Sequence, residues 1–326
     1  MRMALAASIF TYLITLIHSQ QMQNYFLAII SPWNITHCGI KEENLNYRHS
    51  YHAGNFADVV KHVILTILLT DLSTRKDTPY CYIDTHAGIG FYDLFAETTK
   101  KIKEYQNGIE RVIQAGSPPE FVQKYLACVH KINNKLTASK YGSLRYYPGS
   151  PMIARYLLRP HDRMIACELQ PQEYQILKST FVGDKQVAIH HMDGFLGLKA
   201  FLPPHERRGL VLIDPPYENP EEFTRIAHSL PVALKRWETG IVAIWYPIKE
   251  KALVEKFYRV LKTNIKQPVM AIELTIYPDL PGHLNGCGMV IINPPWQFDK
   301  EVENELPWLW KALSVDQQGA YKSFFL

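Results

Sequence analysis

Four short apolar runs, each ended by an acid, limit what this chain can fold into. They are Tyr80-Cys81-Tyr82-Ile83-Asp84, Met164-Ile165-Ala166-Cys167-Glu168, Val187-Ala188-Ile189-His190 with Asp193 just beyond, and Gly209-Leu210-Val211-Leu212-Ile213-Asp214. Apolar runs of this length read as strands, and the unbroken run Gly209 to Ile213 as a buried one. From Glu168 to Asp193 is 25 residues and from Asp193 to Asp214 is 21, each one strand–helix period of a parallel sheet. The first interval, from Asp84 to Glu168, is 84 residues. In a nucleotide-binding βαβ unit the second strand's acid follows the glycine turn by about 20 residues. An insertion is therefore expected over about residues 95–145.

The strand ends carry the chemistry. Thr85-His86-Ala87-Gly88-Ile89-Gly90 follows the first run. Small residues there let a nucleotide-like ligand approach the backbone, although the third glycine of the full dinucleotide fingerprint is missing. Glu168 can take both hydroxyls of a ribose, and Asp193 can take an adenine amino group. Each acid, taken alone, reads first as a solvated loop residue or helix cap. Together, in order and in register, they point to an adenosyl ligand, S-adenosylmethionine.

The fourth run leads into Asp214-Pro215-Pro216-Tyr217. Two prolines fix the backbone and remove two N–H donors, leaving carbonyl acceptors exposed. A carboxylate, the Pro215 carbonyl and the Tyr217 ring together suit an exocyclic amino group on a flat base. The motif reads as the active site of an amino-group methyltransferase acting on adenine, the plain alternative being a proline-rich turn.

The expected insertion reads as two helices, with Ile109, Val112 and Ile113 on one and Phe121, Tyr125, Val129 and Ile132 on the other. It also holds Lys100, Lys101, Lys103, Arg111, Lys124, Lys131, Lys135, Lys140 and Arg145. Such a basic helical subdomain would suit a phosphate backbone, or would simply be a solvated surface. Beyond Asp214, Gly240-Ile241-Val242-Ala243-Ile244-Trp245 is a strand ended by Tyr246-Pro247, and residues 249–261 read as a helix. Residues 270–276 and 287–292 make a terminal hairpin, joined by a Pro- and Gly-bearing loop that could face substrate. The count is seven strands. Asn293-Pro294-Pro295-Trp296 imitates the motif of other amino-group methyltransferases, but it follows the last strand. It is expected to be structural, or a wall near the substrate.

At this point the chain resembles a known family. Tyr47-Arg48-His49-Ser50-Tyr51-His52-Ala53-Gly54-Asn55, Asp58-Val59-Val60-Lys61-His62, Asp84-Thr85-His86-Ala87-Gly88, Arg145-Tyr146-Tyr147-Pro148-Gly149-Ser150-Pro151, Asp214-Pro215-Pro216-Tyr217-Glu218 and Asn293-Pro294-Pro295-Trp296 look like those of the bacterial 23S rRNA adenine-N6 methyltransferases, the ribosomal large subunit methyltransferase J family. The likeness runs from about Asn46 to about Leu313. It implies a class I S-adenosylmethionine-dependent methyltransferase fold, Rossmann-like, with a seven-stranded sheet. It implies that Asp214 is the catalytic acceptor, that His62, His86, Ser150, Glu168, Asp193 and Gly194 contact S-adenosylmethionine, and that Tyr47 touches the RNA. Pro215 and Tyr217 complete the expected substrate contacts. Without the likeness, His62 would read as structural, on a helix capped by Asn55 with an apolar stripe of Val59, Val60, Val63, Ile64, Ile67 and Leu68. No metal is expected, because no Cys or acid completes a first shell around His49, His52 and His62.

Composition sets the remaining limits. A net charge of +4 over 326 residues excludes a polycation, so any RNA footprint is local. Five cysteines without a pairing pattern suit a reducing cytoplasm. The apolar run at residues 3–17 is shorter than the roughly 20 residues of a membrane span. Residues 1–44 are expected to be an extension, disordered or the product of a start assigned too far upstream, with Leu45 as the alternative start; the rival reading is a membrane-tethering extension. Residues 45–326 are then the methyltransferase domain, cytoplasmic and monomeric, away from membranes. The rival functions are N6-adenine methylation of DNA or another amino-group target, and a relic RNA-binding protein.

Overall fold

The computed structural model describes residues 51–96, 103–137 (side chains to 134), 144–219 and 221–326. The expected extension at 1–44, Tyr47, Lys100, Lys101 and Lys140 lie outside these residues, as does the Lys135 side chain.

The chain enters through α1 (Phe56–Thr74), followed by β1 (Cys81–Asp84) and β2 (Phe91–Asp93). A 3-10 turn (Glu104–Asn107), α2 (Ile109–Gln114) and α3 (Glu120–Thr137) lead to β3 (Tyr146–Pro148) and α4 (Ser150–Leu157). Then come β4 (Arg163–Glu168), α5 (Pro171–Thr180), β5 (Val187–His191), α6 (Gly194–Phe201), β6 (Gly209–Ile213) and α7 (Glu221–Arg236). The chain continues as β7 (Ile241–Ile248), α8 (Lys251–Asn264), β8 (Val269–Thr275), β9 (Gly286–Ile292), α9 (Phe298–Leu313) and β10 (Ala320–Phe325).

The main sheet has the order β10-β8-β9-β7-β6-β1-β4-β5. Its β5, β4, β1, β6 and β7 are parallel neighbours, and β9 pairs antiparallel with both β7 and β8. This is the expected class I methyltransferase sheet with its terminal hairpin. An eighth strand, β10, joins it by pairing antiparallel with β8. The chain leaves β1 first toward β4 and β5, then returns to β6 and β7 on the other side. That reversal places a crevice at the carboxyl ends of β1, β4 and β6.

Two elements depart from the reading of the sequence. Strand β7 does not stop at Tyr246-Pro247 but runs to Ile248, paired with β9 throughout. Its parallel partner β6 pairs only Ile241 to Ile244, so Pro247, which lacks an N–H, lies beyond that ladder. The Asn293-Pro294-Pro295-Trp296 segment leaves β9 where Ile292 pairs with Val242, at the start of β7 and therefore at the end of the sheet opposite Asp214. It is not a wall of the crevice. Asn293 fastens that corner, its side-chain amide donating to the Glu238 and Gly240 carbonyls at 2.8 Å each. The loop after β8 leaves at the Asp214 end, since Thr275 and Ile248 both pair with Gly286.

One face of the sheet packs Phe195 and Leu198 of α6, Ile226 and Leu230 of α7 and Phe257 and Leu261 of α8 against Val211, Ile213, Ile244 and Val290. The other face carries α1, α4 and α9. All but three of the 19 residues of α1 are buried, so it is an interior helix rather than an amphipathic cover. Asn55 caps it as expected, accepting the Asp58 N–H at 2.9 Å, and Asp58 reciprocates by accepting the Gly54 N–H at 3.0 Å.

Residues 103–137 dock onto α9. Helix α3 starts after Pro118-Pro119, where no side chain can act as N-cap. Buried Glu305 of α9 substitutes, accepting the Phe121 and Val122 N–H groups at 3.3 and 3.1 Å. Arg111 of α2 donates to the Leu313 and Ser314 carbonyls at the end of α9. Arg145 pairs with Asp93 at 2.9 Å across the β2–β3 ladder. These two arginines, read from the sequence as a possible phosphate surface, are thus engaged within the protein. Among the described residues no helix is long and apolar enough to cross a membrane. Replacing Glu305 by alanine should cost about 2 kcal/mol, because it strands two buried N–H donors. Urea unfolding should show the midpoint fall, and an unchanged midpoint would contradict this capping role.

Candidate active site

The acids fall into place by register. Asp84, at the end of β1, pairs with Ala166 of β4 on one side and Leu212 of β6 on the other. Glu168 and Asp214 therefore stand two residues higher on the flanking strands, facing the same crevice. Glu168 in turn pairs with His191 of β5, and Asp193 lies two residues beyond. The expected adenosyl-binding acids and the expected catalytic carboxylate thus share one edge of the sheet.

Each acid has its own counterpart. Asp214 accepts from the Lys61 ammonium at 2.6 Å, and Lys61 also pairs with Asp58 at 2.8 Å. Lys61 side-chain exposure is only 5%. Burial alone would push its pKa down, but the two carboxylates hold it well above the usual lysine value. Lys61 was not among the residues singled out as functional from the sequence. Its signal was a lone charge inside an apolar helical run.

Asp193 is the N-cap of α6, taking the Phe195 and Leu196 N–H groups at 2.8 and 3.1 Å, and it pairs with Arg225 at 2.6 Å. Burial favours its neutral form, but Arg225 and the helix N–H groups outweigh this and lower its pKa. Gly194 begins that helix, and a Cβ there would stand 2.1 Å from the Thr85 carbonyl. Only glycine lets α6 start so close to the turn after β1. Glu168 accepts the Gly88 N–H at 2.8 Å and the Gln170 N–H at 2.7 Å, and burial raises its pKa despite them. Gly88 has φ of +60°, so this carboxylate clamps a turn that needs glycine.

Ser150 points inward, donating to Asp84 at 2.7 Å alongside the Tyr82 hydroxyl at 2.7 Å. Asp84 is fully buried, and burial lifts its pKa to about 6 against the pull of Ser150 and Tyr82, with the charge of Asp214 adding to the rise. His62 of α1 accepts or donates through Nδ1 with the Tyr147 hydroxyl at 2.7 Å, and His86 does so with Thr85 Oγ1 at 2.8 Å. Among the described residues no group of three or more metal-ligating side chains gathers.

Pro215 is buried and Pro216 exposed. Tyr217 adopts φ of 51°, a left-handed conformation costly for an aromatic residue and frequent at functional turns. Three contacts hold it there. Its hydroxyl donates to the Trp245 carbonyl at 2.6 Å, and its ring meets Phe223 and Trp245 at interplanar angles of 52° and 64°. Nearby, burial raises the pKa of Glu222 to about 7, with the charge of Glu218 adding to the rise. Neither ring contact is a parallel stack. The donor set fits an adenosyl ligand with a cationic centre: carboxylates at the strand ends, two imidazoles, and a glycine turn that admits close approach.

Asp84 gives this site a testable pH signature. An acid whose folded pKa of about 6 exceeds its ordinary 3.8 favours the fold only while protonated. That contribution is complete below the ordinary value and is lost as pH rises through about 6. Asp84→Asn keeps an acceptor for Tyr82 and Ser150 but removes the titration. The melting temperature of the variant should gain on the wild type from about pH 5 to about pH 8, whereas a constant difference would place the titration elsewhere.

Residues 77–326 match the family model described as Ribosomal RNA large subunit methyltransferase D, RlmJ. Ribosomal RNA large subunit methyltransferase J of Escherichia coli strain K12 is 41% identical over 270 residues, covering 82% of this chain and 94% of that protein. Its namesake in Haemophilus influenzae is 40% identical over 280 residues, covering 85% and 97%. A solved structure of a Legionella pneumophila protein, 38% identical, superposes with a TM-score of 0.75 over 84% of this chain and 98% of its own. The matched stretch contains the whole main sheet and every strand-end acid, and the chain belongs to the RlmJ family of ribosomal RNA large subunit methyltransferases.

Proposed function

We infer that this protein methylates the N6 amino group of an adenine in 23S rRNA, with S-adenosylmethionine as cofactor. One observation carries the placement of the chemistry: Asp214, at the end of β6, is held by a buried lysine beside a rigid Tyr217. Family membership supports the rRNA substrate. The cofactor supplies an electrophilic methyl group on a sulfonium. In this reading Glu168, Asp193, Gly194, Ser150, His62 and His86 form its pocket, Ser150 acting through Asp84.

The protein's own task is to make a poor nucleophile attack in line. The N6 lone pair of adenine is delocalised into its ring. An N6–H bond donated to Asp214, and a second to the Pro215 carbonyl, would localise that pair and fix the direction of attack. Lys61 holds Asp214 in place through the 2.6 Å ion pair, so the acceptor need not reorganise during transfer. The base must leave its stack to reach the crevice, and the Tyr217 face replaces the lost stacking. Single-stranded or not yet assembled rRNA makes that extrusion easier. Tyr47 would meet the RNA, and the enzyme would work as a cytoplasmic monomer.

The reading is tested with labelled S-adenosylmethionine and protein-free 23S rRNA, digested to nucleosides. Label should appear in N6-methyladenosine. Asp214→Ala should lower the rate by about 100-fold or more while cofactor affinity stays unchanged. Label in DNA but not in rRNA would move the substrate to the rival reading, and a fully active Asp214→Ala protein would remove Asp214 from the chemistry.

A further inference from the structure

His62 of α1 and His86 of the turn after β1 are wired differently. The Tyr125 hydroxyl donates to the Tyr147 hydroxyl at 3.0 Å, and the Tyr147 hydroxyl lies 2.7 Å from His62 Nδ1. Both tyrosines are fully buried. Tyr147 receives one proton from Tyr125 and has one of its own to place. The His62 Nδ1 lone pair is the acceptor in reach, and a buried hydroxyl proton without an acceptor is costly. His62 therefore accepts at Nδ1, and its ring proton sits on Nε2.

The Thr85–His86 pair runs the other way. The Thr85 hydroxyl donates to the Leu212 carbonyl at 2.9 Å. Its single proton is then committed, because a carbonyl can only accept. The 2.8 Å contact between Thr85 Oγ1 and His86 Nδ1 needs a proton from the histidine. His86 is thus protonated at Nδ1, and Nε2 carries the lone pair. Burial lowers the His86 pKa to about 4 even though Asp214 and Asp193 pull it upward, so the ring is neutral at working pH.

We propose that these hydroxyl relays lock His62 and His86 in opposite neutral tautomers, and that the pair sorts the two ends of the cofactor's zwitterionic amino acid. The Nε2–H of His62 is a donor and suits the carboxylate. The Nε2 lone pair of His86 is an acceptor and suits the α-ammonium. Reversed binding would set a lone pair against a carboxylate and one N–H against another, so the arrangement fixes which way the amino acid lies. Tyr125, Tyr147 and Thr85 act as positioning residues, none of them needing to touch the ligand. The proposal rests on the reading above that both histidines face S-adenosylmethionine.

Two measurements test it. Long-range proton–nitrogen correlation spectra of nitrogen-15 histidine-labelled protein report each tautomer directly, without turnover. The expected result is Nε2–H for His62 and Nδ1–H for His86. Either histidine in the other tautomer, or His86 doubly protonated near neutral pH, overturns the relay. Calorimetry then compares S-adenosylhomocysteine with 5′-methylthioadenosine, which has the nucleoside and sulfur but no amino acid. Tyr147→Phe and Thr85→Val should each weaken S-adenosylhomocysteine about tenfold and leave 5′-methylthioadenosine within about twofold. Equal weakening of both ligands would mean that the hydroxyls only support the fold, and it overturns the sorting role. His62→Ala and His86→Ala proteins that bind S-adenosylhomocysteine as the wild type does would refute the contact reading itself, whatever the tautomers.

Discussion

A buried ammonium between two carboxylates is the constraint around which the site is arranged. Lys61 cannot stay charged in the interior without both Asp58 and Asp214, and neither carboxylate is satisfied in the same way without it. Asp58 also closes the cap of α1 by accepting the Gly54 N–H. The start of α1, the end of β6 and the proposed catalytic carboxylate are therefore one electrostatic unit. Losing the lysine would leave two carboxylates facing one another beside the crevice. The helix that carries it is interior on every side, so its position is fixed by packing before the ion pairs form.

Gathering acids at one sheet edge raises a repulsion problem, and the fold solves it acid by acid. Asp214 takes Lys61, Asp193 takes Arg225 and a helix N-terminus, and Glu168 takes two backbone N–H groups. Asp84, buried and without a cation, takes two hydroxyls and shifts its titration upward. The result is a crevice rich in negative charge but internally satisfied. That suits a cofactor whose reactive centre is a sulfonium.

Strand positions and strand ends were legible because both rest on short-range pattern: apolar runs, the acids that follow them, and regular spacing. The end of the sheet at which the last hairpin strand finishes was not. Asn293-Pro294-Pro295-Trp296 resembles an active-site motif, yet an antiparallel β9 delivers it to the far end of the sheet. Strand β10 passed unnoticed because Ala320-Tyr321-Lys322-Ser323-Phe324-Phe325 lies on an edge with mixed burial and no apolar core of its own. The structural work of the candidate ligand residues was equally hidden. Glu168 clamps a glycine turn 80 residues away and Asp193 pairs with Arg225, 32 residues on, partnerships formed between elements far apart in the chain. Lys61 belongs to the same class, since its two partners lie three and 153 residues away. A charge amid Val59, Val60, Val63 and Ile64 announces that a partner exists, but not which one.

The central claim is that Lys61 holds Asp214 for catalysis rather than merely closing the core. The most direct measurement is the single-turnover rate of Lys61→Met, taken with its cofactor affinity and melting temperature. A folded variant that binds S-adenosylmethionine normally but transfers methyl about 100-fold more slowly is the predicted result. A folded variant that transfers methyl at the wild-type rate would contradict the account.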